Sequence, residues 1–301
     1  MVRKLDPTDF RACRLVLDPD DFGLSDGQPD PQPTDLVTEE VWNGIKTLPD
    51  DVAVRTTSHQ GTRIAILYEL WGGWVENFPK SEIISAAMMD AADDFDAALF
   101  NLLHGFYKQA IAALRNALEG LTIASCCEIT GDRVIQAAWE DGKEIRFREA
   151  CDKLASSPCF RDLENKACGA ARTSIYVGDN GSGRNAWARD LYWRLSRFSH
   201  ARWDATNASL WNSNGPIYSA DGMRLSYYAY IETYALLLLV SKAAASDLKM
   251  PVAALVIYED DSLRQYLAQE FQDLCAFYAS ELFGLQLNEA RTNGEDASSR
   301  C

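Results

Sequence analysis

Positive charge and histidine are both scarce in this 301-residue chain, which has 29 lysines and arginines against 44 aspartates and glutamates, and three histidines. The net charge of −15 makes the surface repel nucleic acid and anionic membranes, which argues against general DNA binding. Any nucleic-acid chemistry has to come from a local basic patch. Long apolar runs are lacking as well. The most apolar stretch, residues 235–240, is broken by Ser241 and Lys242, far short of the roughly 20 residues a membrane-spanning helix needs. Met1-Val-Arg-Lys-Leu-Asp-Pro7 has no apolar stretch behind its charges and does not read as a secretion signal. The eight cysteines include no CxxC pair, and neither Cys126-Cys127 nor Cys151, Cys159 and Cys168 have zinc-ligand spacing. His59, His104 and His200 lie too far apart for a local metal motif. The cysteines read as small buried hydrophobes, reduced in a cytoplasmic protein, and no metal or cofactor is expected.

What is present is ordinary globular usage, 47% hydrophobic and 24% charged, in a chain long enough for one large domain or two modest ones. Residues 1–60 stand apart: twelve acids face six bases, and Pro29, Pro31 and Pro33 sit in a polar, Asp-rich stretch. They read as an acidic, partly irregular arm with one short helix over 38–47, capped by Thr38 and closed by Pro49. From residue 61 to 288 nearly every segment has helical period. Ile66, Leu70 and Trp74 mark a helix over 62–78. Residues 81–129 form two helices or one bent one, starting at Ser81, weak near Gly105 and ended by Gly131. Further helices are expected over 132–140, 143–156 (with Pro158 as a stop), 185–207, 221–246 and 261–285. The apolar run 252–258 is compatible with a strand, but one strand makes no sheet. The expected fold is an all-α antiparallel bundle, with its core about 82–247 and a frayed tail at 289–301.

Arginine is concentrated in one place. Between Arg184 and Arg202 lie five arginines and a single acid, Asp190. Wound as a helix, Trp187, Leu191, Leu195 and Phe198 face the core, while Arg189, Trp193, Ser196, Arg197, His200 and Asp204 share roughly one-third of the opposite circumference. Asp204, one turn after His200, is expected to hold the imidazole and raise its pKa, with Arg197 expected to push the other way. A histidine beside arginines suits proton transfer next to a phosphate. The same composition also suits a subunit interface, where arginine and tryptophan are enriched, or a salt-bridged bundle helix. Arg115 and Glu119 form an i, i+4 pair on the edge of an apolar helix, an ordinary ion pair or a support for His200 across the bundle. Asp93, Asp94 and Asp96 read as a solvated face, Gly178, Gly181 and Gly183 as an interhelical loop, and Tyr227, Tyr228, Tyr230 and Tyr234 as core and interface aromatics.

Two of these stretches together resemble a known family. Gly105-Phe-Tyr-Lys-Gln-Ala-Ile-Ala-Ala-Leu-Arg-Asn-Ala-Leu-Glu119 resembles the opening helix of HEPN-like bacterial proteins, many of them uncharacterised. Leu191-Tyr-Trp-Arg-Leu-Ser-Arg-Phe-Ser-His200 resembles the later helix that ends in their Arg-x(4–6)-His motif, here Arg194 and His200. The resemblance covers about residues 105–247 and implies a helical bundle, commonly a homodimer with the two Arg/His pairs facing one another. Active members are metal-independent ribonucleases of toxin–antitoxin and phage-defence systems. Carried over, His200 becomes the general acid/base and Arg194 the phosphate stabiliser in attack of a ribose 2′-hydroxyl on the adjacent phosphodiester. Leu195 departs from the polar residue that active members carry after the motif arginine. Winding also places Arg194 some 120° from His200, whereas Arg197 shares its face. The expectation is therefore a homodimeric ribonuclease or defence effector acting on RNA through His200 with Arg194 or Arg197, supported by Arg189, Asp204, Trp193, Ser196, Arg115 and Glu119. The competing expectation is a non-catalytic module that binds a protein partner, such as an antitoxin, or its own copy through the Arg/Trp face of 187–204.

Overall fold

The computed structural model describes residues 38–167, 175–176, 186–199, 216–259 and 269–284, and every secondary-structure element among them is helical. The fold is all-α, as the periodicity predicts. The chain divides into two compact units, Met1–Thr47 and Leu48–Cys301.

In the first unit, Thr38 accepts a hydrogen bond from the Val41 amide and starts the short helix α1 (Glu39–Trp42), followed by a π-turn over Asn43–Thr47. Pro49 does not close this segment. It lies in the first turn of α2 (Leu48–Val75), where a proline gives up no intrahelical hydrogen bond. Residues 48–60 are thus helical and belong to the second unit. Gln60 kinks α2, which separates its first half from the amphipathic second half visible in the sequence.

The second unit is built around a helical hairpin. Ser81 caps α3 (Glu82–Leu103) through the Ile84 amide, and α4 (Tyr107–Thr130) ends on Gly131 in the left-handed conformation. Between them Gly105 has φ of +79°, and a Cβ there would stand 2.3 Å from the Ile217 carbonyl oxygen. Only glycine makes that turn. Asp132 caps α5 (Arg133–Glu140), and Arg146 precedes α6 (Phe147–Ser156), which starts later than the expected 143. α6 ends at Ser156, before Pro158 as expected, and Pro158 also opens a further helix, α7 (Pro158–Ala167), where Ser157 Oγ accepts from the Phe160 amide. Next come α8 (Trp187–Ser199), α9 (Ala220–Ala244), a 3-10 turn (Val252–Ala254), α10 (Leu255–Glu259) and α11 (Gln269–Phe283). The apolar run 252–258 is therefore helical rather than a strand.

α4 is the axis of the bundle and packs against α3, α6, α8 and α9. The middle of α9, from Ile231 to Ser241, is buried at every position but Glu232, the pattern of a helix enclosed on all sides. Tyr227, Tyr230 and Tyr234 are buried there, and Tyr228 is half-buried. Tyr230 and Tyr234 pack on Phe95, and Tyr234 also meets Trp74 at 5.2 Å. α2 is tied to α3 by the Trp71 and Trp74 indoles, which donate to the carbonyls of Ala92 and Met88. α9 enters against α4 through Gly222, where a Cβ would lie 2.5 Å from the Tyr107 ring, and the Ser219 amide donates to the Tyr107 hydroxyl. No helix among the described residues is long and apolar enough to cross a membrane.

Candidate functional site

α8 carries the arginine cluster, and its described part places nine of the expected side chains. Trp187, Leu191 and Leu195 are buried against the core, and Phe198 packs half-buried beside them, as the helical winding predicts. The opposite face is not uniformly solvent-facing. Arg189 turns to α6 and pairs with Asp152, leaving its side chain only 17% exposed. Ser196 turns to α4, where its hydroxyl accepts from Arg115 Nε at 3.2 Å. Trp193 is 53% exposed, and the half-buried Arg197 lays its guanidinium over the indole at 5.1 Å from the ring centroid.

Arg194 is committed to ion pairs, although its side chain is 41% exposed. Its guanidinium grips Glu232 of α9 with two nitrogens, and Nε donates to Asp190 Oδ2 at 2.8 Å. Burial opposes the arginine's charge, but hydrogen bonds and charge from Glu232 and Asp190 outweigh it and hold the group charged above its ordinary range. Trp187 Nε1 also donates to Glu232 at 3.0 Å. One guanidinium is thus matched by two carboxylates, which leaves no net charge to attract a phosphate. Arg194 is a brace between α8 and α9.

A second brace joins α8 to α4. Arg115 donates to the Tyr192 hydroxyl at 2.6 Å and pairs with Glu119 at 3.1 Å, and Tyr192 donates on to Glu119. The Tyr192 ring stacks on Phe147 of α6 at 4.1 Å. The Arg115–Glu119 pair is thus a structural clamp on α8 one turn before the helix ends. Of the other expected residues, His200, Asp204, Arg184, Arg202, Gly178, Gly181 and Gly183 lie outside the described residues.

Two members of this arrangement were missed in the sequence, Glu232 and Asp152. Glu232 had a usable signal, since it is the one charged residue between Leu225 and Ser241 in an otherwise apolar helix. Asp152 had none, because it is one polar residue among many on an exposed helix.

The acidic stretch of α3 also differs from expectation. Asp93 and Asp96 are exposed, but Asp94 is half-buried against α4. Desolvation, reinforced by the neighbouring Asp90 and Asp93 charges, pushes its carboxyl up to about 6 against a hydrogen bond from Asn116. Cys126, Cys127, Cys151 and Cys275 are buried as expected, while Cys159 is exposed. Burial pushes the Cys127 thiol up to about 11 and Cys151 to about 12, so neither is primed as a nucleophile. His59 stacks on Tyr218 at 5.2 Å, and His104 caps α3 through the Phe100 carbonyl. Among the described residues no group of three or more His, Cys, Asp or Glu side chains is placed to hold a metal ion.

No protein-family model, curated protein or solved structure matches the chain.

Proposed function

We propose that the protein is a HEPN-like, metal-independent ribonuclease, a homodimeric effector of the toxin or phage-defence type, and that it engages single-stranded RNA on the outer face of α8. One observation carries this reading: an exposed tryptophan, Trp193, has the half-buried Arg197 guanidinium stacked over its ring on the outer face of α8. Such a pair stacks on an unpaired base and reaches the adjoining phosphate, the two interactions that single-stranded binding requires. His200 follows α8 by one residue, three positions after Arg197. In this scheme His200 takes the proton of a ribose 2′-hydroxyl as its oxygen attacks the adjacent phosphorus. The P–O5′ bond breaks, a 2′,3′-cyclic phosphate forms, and the imidazolium returns a proton to the leaving 5′-oxygen. Arg197, stacked on Trp193 and three positions before His200, stabilises the charge that develops on the phosphate.

The competing reading rests on the same pair. Exposed tryptophan beside arginine is also the composition of a protein-binding hot spot. Fluorescently labelled single-stranded RNA separates the two. The ribonuclease reading expects Trp193→Ala to weaken RNA binding by about 1–3 kcal/mol. It expects Arg197→Ala to slow cleavage by roughly 10²–10³ with the fold intact. Arg194→Lys, tested at a temperature where it remains folded, should retain most of the cleavage rate. Loss of activity in the folded Arg194 variant with none in Arg197→Ala would contradict the assignment. A folded wild type that neither binds nor cuts RNA would favour the interaction module.

A further inference from the structure

A groove of about 1280 Å³ runs along the second half of α2, from Thr62 to Asn77, and is closed on its other side by residues 249–256. We propose that it is a docking site for a cationic amphipathic helix of a partner protein. The inference stands independently of the RNA reading.

Shape comes first. The fourteen helical residues from Thr62 to Val75 make a trough of roughly 21 Å, the length of about four helical turns. The volume exceeds the ~300–1,000 Å³ of ordinary small-molecule pockets. Its floor is apolar and half-buried (Ile66, Trp71, Val75, Met250), while Tyr68 at 57% and Val252 at 83% exposure stand on the rims. A helix laid in such a trough buries an apolar stripe spaced i, i+3, i+4, i+7.

The glycine pair at 72–73 supports a close approach. Gly73 has an internal reason, since its Cβ would press on Pro251 at 3.1 Å and Ala253 at 3.3 Å. Gly72 has none: nothing lies within 4 Å of where its Cβ would stand. A glycine inside a helix costs about 1 kcal/mol relative to alanine. Here that loss returns no packing within the described residues, and it leaves a notch in the groove wall.

Charge selects the occupant. Glu69 and Glu76 line the groove two turns apart, both exposed and neither in an ion pair among the described residues. Lys249 is the single basic residue of the lining. Two lysines or arginines spaced i, i+7 on a docked helix meet both glutamates. A second copy of the chain placed symmetrically would instead set the same acidic rim against itself, and an anionic membrane would be repelled.

The test uses the full chain and a fluorescein-labelled synthetic helix with a leucine stripe flanked by lysines. Its glutamate-flanked and scrambled versions serve as controls. The lysine peptide should bind at least about tenfold more tightly than either, with the difference shrinking in high salt. Glu69→Lys with Glu76→Lys should invert the preference towards the glutamate peptide. Gly72→Leu should weaken the lysine peptide about tenfold while leaving Tm unchanged or raised, which separates blocked docking from damage to the fold. Equal binding of all three peptides would overturn the proposal, as would indifference to Gly72→Leu. So would concentration-dependent dimerisation abolished by Tyr68→Glu, or capture by phosphatidylserine vesicles in preference to the peptide.

Discussion

Arg194 shows how a charge selected by spacing acquires its role from a distant partner. Glu232 is only 13% exposed, so removing the arginine leaves a carboxylate largely cut off from water. Arg194→Ala should therefore destabilise the fold by about 2–3 kcal/mol, below the cost of breaking a fully buried pair because the arginine is partly solvated. Arg194→Met with Glu232→Leu should recover most of that loss. Denaturant unfolding checks both, and a stable single variant would show that the brace is unimportant. Asp94 supplies a pH test. Its carboxyl titrates at about 6 in the folded chain, above the ordinary 3.8, because the charged form is poorly solvated. Stability from this group is fully present below the ordinary value and is lost as pH rises through about 6. Asp94→Asn removes the loss and keeps an acceptor for Asn116. It should raise the unfolding free energy at pH 8 by about 1 kcal/mol after discounting for solvent screening, with the two stability curves converging near pH 4. A constant offset across that range would contradict the assignment.

At the scale of elements, caps and glycines were legible, and prolines only in part. Ser81, Asp132 and Gly131 end helices by local hydrogen bonding or local backbone conformation, so sequence alone places them. Pro158 does stop the helix before it, α6 at Ser156, and opens α7, whereas Pro49 stops nothing and sits in the first turn of α2. A proline excludes the helix before it and favours the one after it, and the choice depends on packing further along the chain. The apolar run at 252–258 misleads similarly: with no strand beside it among the described residues, its backbone satisfies itself by coiling. The winding of α8 gave its buried stripe correctly, since burial follows period. It could not say which polar residues are spent on Asp152, Arg115 and Glu232, because those partners are 37 or more residues away. The turn between α3 and α4 offers the sharpest element-scale prediction. Gly105→Ala combines a positive φ with a clash against the Ile217 backbone, and should cost at least about 2 kcal/mol by denaturant unfolding. An unchanged midpoint would mean that the hairpin does not rely on this turn.

For the whole molecule, the composition gave the class and the net charge set the terms for any RNA chemistry. A chain of −15 repels the polymer it is proposed to act on. Binding then depends on a few local contacts, Trp193 stacking among them, and has a shallow salt dependence in place of the steep slope of a basic RNA-coating protein. The division at Thr47 adds an architectural prediction. A chain beginning at Leu48 should keep its cooperative unfolding and its Tm within a few degrees, whereas truncation at residue 60 cuts into α2 and should lower both. The proposal that joins these scales is metal-independent RNA cleavage by His200 beside Arg197. Its most direct measurement compares purified wild type with His200→Ala on labelled tRNA and single-stranded RNA in EDTA. The account predicts cleavage by the wild type, 2′,3′-cyclic phosphate ends, and loss of at least about 10²-fold in rate in the variant. Equal cleavage by both proteins, or none by a folded wild type, would contradict it.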